Sequence, residues 1–184
     1  STDASTLDAL ETWLTSRLGK GVIRALDTPN FVANRIGVFS ILAVMHHTQR
    51  LGLGFDTVDA LTGPKIGRPS SATFRTGDVV GLDTLAHVVR TMRDTLPDDP
   101  WQRHFTVPAW LDDLIAKGAL GQKAGGGIYR KVGKEIHVLD LGEQGYRPSA
   151  GAASAEVAAI LNDRNLATRF AALSFENAEK LMKF

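Results

Sequence analysis

Apolar residues recur along the chain at helical spacing, broken by glycines and prolines. Leu7, Leu10, Trp13, Leu14 and Leu18 follow one another every three or four residues and predict an amphipathic helix that Gly19 stops. The short, β-branched start of Val22-Ile23-Arg24-Ala25-Leu26 reads as a strand. A lone strand is not stable in water, so this helix–strand pair is expected to be the last unit of a preceding α/β domain. Asp27-Thr28-Pro29 is a helix start, with Thr28 as N-cap and Pro29 at the first helical position. Phe31, Ile36, Phe39, Leu42, Val44 and Met45 then predict a long, mostly buried helix to about Leu51, ended by Gly52 and Gly54. Asp56 is expected to cap a shorter helix through Leu61. Gly63-Pro64 and Gly67-Arg68-Pro69 force a loop.

Thr76 to Leu96 reads as one further helix, with Val79, Val80, Leu82, Leu85, Val88, Val89 and Met92 as its apolar stripe and Pro97 at its close. Val107-Pro108 opens a helix carrying Trp110, Leu111, Leu114 and Ile115, which Gly118 stops. After Gly125-Gly126-Gly127 the pattern changes. Ile128 to Lys131, a Val132-Gly133 turn and Glu135 to Leu139 predict a hairpin. Gly142 to Gly151 is turn-rich and reads as a linker. Two last helical patterns follow, Ala155 to Leu161 and Leu166 to Phe184, the second apolar at Phe170, Leu173, Ala178, Leu181 and Met182.

Composition narrows the function classes. The 184 residues are 43% hydrophobic, enough for a real core. Twenty-one basic against 20 acidic residues leave a net charge of +1, so no global field draws nucleic acid or an anionic membrane. With no cysteine there is no disulfide, thiolate nucleophile or cysteine-held zinc. No run of 18 apolar residues spans a bilayer, and the polar start lacks a signal-peptide core; a cytoplasmic protein is expected. The chain starts at Ser1 and enters a helical pattern almost at once, as an excised piece of a longer protein would.

Most candidate chemistry dissolves on inspection. Gly19-x-Gly21, Gly52-x-Gly54 and Gly125-x-Gly127 begin like dinucleotide fingerprints, but their closing positions are Arg24, Thr57 and Arg130, and none sits between a strand and a helix. The histidines His46, His47, His87, His104 and His137 form no His-Glu-x-x-His pattern. Neighbours such as His46 and His47 point about 100° apart on a helix, so no metal site is expected. Asp98-Asp99 and Asp112-Asp113 read as solvated caps or faces. The unusual stretch is Pro29-Asn30-Phe31-Val32-Ala33-Asn34-Arg35, which sets two polar residues in an apolar helix. Asn34 and Arg35 either lie on its exposed face or place an amide near a helix N-terminus, ready to donate to a carbonyl or carboxylate in a cleft.

This stretch resembles the Pro-Gly-Phe-x-x-Asn-Arg motif that opens the C-terminal domain of the 3-hydroxyacyl-CoA dehydrogenases of fatty-acid β-oxidation. Asn30 stands where the family has Gly, so local packing is expected to differ there. Two later blocks agree: Ile66-Gly67-Arg68-Pro69 through Asp78-Val79-Val80-Gly81-Leu82-Asp83-Thr84, and Gly121-Gln122-Lys123-Ala124-Gly125-Gly126-Gly127-Ile128-Tyr129. The resemblance implies a mainly α fold with a small β-hairpin, of the 6-phosphogluconate dehydrogenase C-terminal-like type. Residues 1–27 would be the remnant of a Rossmann domain, 28–141 the helical domain, and 142–184 a linker and the start of a following helical region.

The same resemblance implies oxidation of 3-hydroxyacyl-CoA to 3-oxoacyl-CoA with NAD as cofactor, and pairing as a homodimer. Asn34 matches an active-site asparagine that orients the acyl carbonyl or the catalytic pair. Lys123 matches a lysine that reaches the bound NAD, where an ammonium suits a phosphate or ribose edge. In the family the Rossmann domain carries the NAD fingerprint and the His–Glu pair, and no residue here takes those roles. A helical module that pairs with its own copy and does no chemistry remains compatible with the pattern. A decarboxylating hydroxyacid dehydrogenase is also similar, but its Gly-x-x-x-Lys pattern does not follow Thr28.

Overall fold

Apolar faces of five helices and one small sheet close on a single core. The computed structural model describes residues 2–172, so Leu173, Ala178, Leu181 and Met182 of the last apolar stripe lie outside the described residues. The helices are α1 (Ala4–Leu18), α2 (Phe31–Leu51), α3 (Phe55–Leu61), α4 (Phe74–Val80), α5 (Leu82–Thr95), α6 (Ala109–Ala116), α7 (Ala155–Asn162) and α8 (Leu166–Ala172). The strands β1 (Tyr129–Val132), β2 (Glu135–Asp140) and β3 (Gly145–Pro148) form one antiparallel sheet in chain order. Val38, Leu42 and Met45 of α2 meet Leu85, Val89 and Met92 of α5, both sets at helical spacing. Phe55, Phe74 and Trp110 stack at one end of this core, with ring centroids 4.4 to 6.4 Å apart.

The sequence expectations hold for the mainly helical architecture and differ in six places. The long helix α2 is not mostly buried: Val38, Leu42, Met45 and Thr48 are its buried residues, while Phe31, Ile36 and Phe39 of the expected apolar set stand exposed, because its first two turns extend beyond the elements that cover its later half. Val22 to Leu26 is extended but is not a strand. A strand needs a neighbour for its backbone groups, and here Ile23 and Leu26 stand 80% and 85% exposed. No residue of α1 is buried; Arg24 pairs with Asp8 and Glu11, tying the segment back onto the helix. Thr28 is not the cap of α2. Asn30 holds that position in the left-handed region (φ 66), with Phe31 also at positive φ (53), so Asn30 takes up the backbone conformation that glycine adopts most freely.

The single helix expected from Thr76 to Leu96 breaks at Gly81. Its φ of 97 is closed to an L-residue, and the Leu82 N–H turns to the carbonyl of Leu120. The break rotates Val79 and Val80 out of the core into solvent. Asp56 does not cap α3, where Gly54 holds that position. Its buried carboxylate instead takes a two-pronged bond from Arg147, with both N–O distances 2.9 Å. Residues 142–151 are not a plain linker, because Gly145–Pro148 forms β3 and Arg147 bridges Asp140 and Asp56 from it.

Two buried carboxylates hold these parts in register. Asp59 on α3 accepts from the backbone N–H groups of Thr73, Phe74 and Arg75 at 2.7 to 3.0 Å, capping α4, which has no side-chain cap of its own. It also accepts the phenol of Tyr129 at 2.9 Å. Asp78 on α4 accepts from the N–H groups of Ile128 and Tyr129, each at 2.8 Å, and so pins the entry to β1. Gly121 and Gly127 lie directly on Asp78, where a Cβ on either would overlap it.

Asp78→Asn keeps one acceptor and turns an NH2 group towards a backbone N–H. It is expected to cost about 1–3 kcal/mol of stability. Burial pushes the Asp78 carboxyl up from 3.8 to about 6. A raised carboxyl value means that the folded protein holds the proton more tightly than the unfolded chain. The contribution of Asp78 to stability is therefore full below about pH 4 and declines as pH rises towards 6. Denaturant unfolding across that window should show the gap between the parent and Asp78→Asn narrowing as pH rises; a gap that widens would show that the ionised form is the favoured one.

Candidate functional site

Asn34 lies in the first turn of α2, where the left-handed Asn30–Phe31 pair sets the entry angle. Its side chain is exposed and makes no hydrogen bond among the described residues. Around it, Phe31 and Ile36 are 71% and 67% exposed, and Val32 is partly exposed too. An unspent amide therefore stands on an open apolar strip beside the positive end of a 21-residue helix. Arg35 is otherwise engaged. It pairs with Asp99, whose side chain is only 6% exposed, and so ties α2 to the loop after α5. Of the two polar residues in the motif, one is a strut and the other is free.

Lys123 sits on the 3-10 turn Gln122–Ala124, bounded by Gly121 and Gly125, both at positive φ. Its ammonium contacts Asp83 in the first turn of α5, at 2.6 and 2.8 Å from the two oxygens. The lysine holds the Asp83 carboxyl below its usual range, by hydrogen bond and by charge. Both side chains are partly exposed, so an ammonium with an N–H donor to spare faces solvent from a fixed position. Asp83 was not singled out from sequence as a site residue. The signal was present, since it lies in the Gly81-Leu82-Asp83 block, but a partner 40 residues away is not visible in a linear pattern. Asn34 and Lys123 share no hydrogen bond or ion pair.

A wide cleft lies elsewhere. About 500 Å³ opens between the C-terminal half of α2 and the segment 101–108, lined by Phe39, His46, Trp101, Arg103 and His104 among others. Its rings pack closely, Phe39 on Trp101 at 5.1 Å and Trp101 on His104 at 5.8 Å. Burial pulls the His47 imidazole below its usual value. Among the described residues no group of three His, Asp or Glu side chains could hold a metal, and no helix is long and apolar enough to cross a membrane.

This site can orient and can donate. Among the described residues Asn34 bonds no imidazole or carboxylate, and the carboxylate that Lys123 contacts, Asp83, is spent on its ammonium. Nor is there a glycine-rich turn between strand and helix to cradle a pyrophosphate. Lys123 fits NAD only as one edge contact, a point charge for a phosphate or a ribose hydroxyl.

Residues 31–131, more than half of the chain, match the family described as 3-hydroxyacyl-CoA dehydrogenase, C-terminal domain. A probable 3-hydroxyacyl-CoA dehydrogenase of Bacillus subtilis is 48% identical over 139 residues, which are 76% of this chain and 18% of that protein. One from Deinococcus radiodurans is 48% identical over 118 residues, 64% of this chain and 33% of that protein. The crystal structure of (S)-3-hydroxybutyryl-CoA dehydrogenase from Ralstonia eutropha superposes with a TM-score of 0.60 at 25% identity, over 71% of this chain and 44% of that one. The chain thus spans a fifth to a third of the length of these two curated relatives. The break at Gly81, the Lys123 turn and the start of α2 all fall within or at the edge of the matched span, and the chain belongs to the 3-hydroxyacyl-CoA dehydrogenase C-terminal domain family.

Proposed function

We propose that this chain is the substrate-binding and pairing part of a cytoplasmic, NAD-dependent 3-hydroxyacyl-CoA dehydrogenase of fatty-acid β-oxidation, which oxidises 3-hydroxyacyl-CoA to 3-oxoacyl-CoA. The observation that carries this reading is Asn34, an unspent amide on an exposed apolar strip, at the position of the family's active-site asparagine. The strip suits an acyl chain and the cover of a preceding Rossmann domain. The Asn34 N–H bonds the carbonyl that develops at C3, and its rigid helix fixes that donor before the reaction. Lys123, held by Asp83, offers an N–H to the edge of the cofactor. NAD, when bound, supplies the hydride acceptor. The proton acceptor is the family's histidine, on the preceding domain.

In a protein that contains this chain with its preceding domain, Asn34→Ala should lower kcat/KM by on the order of 10²–10³, equivalent to roughly 2–4 kcal/mol of transition-state stabilisation. The melting temperature should hardly move, since the amide makes no contact in the core. Steady-state kinetics within about threefold of the parent would remove Asn34 from the mechanism.

The 184-residue chain on its own should bind NAD no more tightly than millimolar, because a single lysine edge cannot replace a phosphate cradle. Calorimetric titration with NAD decides this, and micromolar affinity would contradict the division of labour.

A second reading rests on the exposed apolar residues themselves. Phe31, Ile36, Val79, Val80 and Trp101 leave more apolar surface open than a lone chain usually tolerates. We expect a homodimer that buries more than about 1,000 Å² in total. Sedimentation equilibrium at micromolar concentration should show twice 19.8 kDa; a single species at that monomer mass would rule the dimer out.

A further inference from the structure

Rings in mutual contact line the cleft between α2 and the segment 101–108. Phe39 packs on Trp101 with centroids 5.1 Å apart, Trp101 on His104 at 5.8 Å, and His104 on His46 at 6.5 Å. Leu42 and Met45, both buried, add apolar lining from α2. The Trp101 side chain stays half exposed, so part of its ring is open to a ligand. The segment that carries it is tied down at two points. The Trp101 N–H donates to Asp99 at 2.9 Å, and the Gln102 amide donates to the carbonyl of Arg93 on α5 at 3.2 Å. The aromatic wall is therefore in place before any ligand arrives.

The charge of the cleft is one-sided. No Asp or Glu lines it, and Arg103 does. Asp99, two residues before Trp101, spends its oxygens on the Trp101 N–H and on Arg35. Arg24, Arg35, Arg90, Arg93 and Arg147 each pair with a carboxylate, whereas Arg103 forms no ion pair among the described residues. Its Nε donates to Nε2 of His104 at 3.1 Å, and its terminal N–H groups bond nothing there. A guanidinium with its outer fork unspent takes a carboxylate in two parallel hydrogen bonds. The cleft, at about 500 Å³, has the size of a small-molecule site: apolar and aromatic walls with one charged group to orient the ligand.

We propose that this cleft binds an aromatic carboxylate, with its ring against Trp101 and Phe39 and its carboxylate on Arg103. A flat ring stacks on these side chains and loses no chain freedom on binding, whereas a flexible acid must order each of its bonds. One guanidinium without a backbone cradle suits one carboxylate and not a pyrophosphate, in keeping with weak binding of NAD by this chain. The site uses neither Asn34 nor Lys123, so it stands whether or not the chain serves a dehydrogenase.

Calorimetric titration of the 184-residue chain with naphthalene carboxylate tests it, with naphthalene carboxamide as the neutral isostere and octanoate as the flexible acid. Saturable one-to-one binding of the aromatic acid in the sub-millimolar range is expected, with the amide and octanoate each weaker by about fivefold or more. Arg103→Gln should weaken the aromatic acid by about fivefold or more and the amide by less than about twofold. Trp101→Leu should weaken acid and amide alike, by about threefold or more. Lys134→Gln, on the hairpin turn outside the cleft, should change neither by more than about twofold. Circular dichroism checks each variant. Should Trp101→Leu unfold, Phe39→Leu at its partly exposed position reads the same loss of stacking. Trp101 also belongs to the apolar surface expected to pair, and a second copy seated over the cleft would leave no saturable binding. No saturation by about 10 mM aromatic acid overturns the proposal. So does equal affinity for the amide or for octanoate, unchanged affinity in the folded cleft variants, or an equal loss in Lys134→Gln, the last because it signals diffuse attraction rather than a site.

Discussion

Asp59 and Asp78 are the pair on which the arrangement rests. Each is a carboxylate buried on a helix, and each is satisfied by backbone N–H groups of another segment rather than by a cation. Burying a carboxylate is costly unless its oxygens are fully occupied, so each carboxylate requires its donors in place. Asp59 sets where α4 begins, and Asp78 sets where β1 begins. Tyr129 joins the two, giving its phenol to Asp59 and its backbone N–H to Asp78. Burial beside Asp59 pushes that phenol far up, so it remains a donor at any ordinary pH.

The same pair separates structural from chemical roles within the motifs. Gly121, Gly127 and Asp78 lie in blocks shared with the family, yet their work is internal, close packing around one carboxylate. Asn34 and Lys123 lie in the same kind of block and face outwards. The difference is one of partners. Asp78 has every oxygen taken, Asn34 has none of its amide used, and Lys123 spends part of its charge on Asp83. A residue shared by a motif is thus sorted into support or function by which of its polar atoms remain unspent.

The rim of the domain is built differently. Arg147 reaches from β3 to Asp56 and Asp140, and Ala150 adds its N–H to Asp56 at 3.1 Å. The two carboxylates are held below their usual range and the guanidinium above its own, the arrangement of a paired cluster rather than of a lone buried charge. This cluster draws residues 145–150 onto α3, and with them the sheet that carries Arg130 and Tyr146.

Local patterning determined the elements. Spacing of three and four placed α1, α2 and α6, the Gly133 turn placed the β1–β2 hairpin, and the Asn34 and Lys123 motifs marked the family, because each of these depends on neighbours within a few residues. Tertiary structure decided the rest. The apolar stripe from Thr76 to Leu96 is continuous in sequence, and only the docking of Leu82 on the carbonyl of Leu120 turns Gly81 into a break. Gly145–Pro148 has no strand signal of its own and becomes β3 because β2 offers an open edge and Asp56 awaits Arg147. Asp59 and Asp83 take their roles from partners 14 to 70 residues away, and no linear pattern records a contact that exists only once the chain has folded.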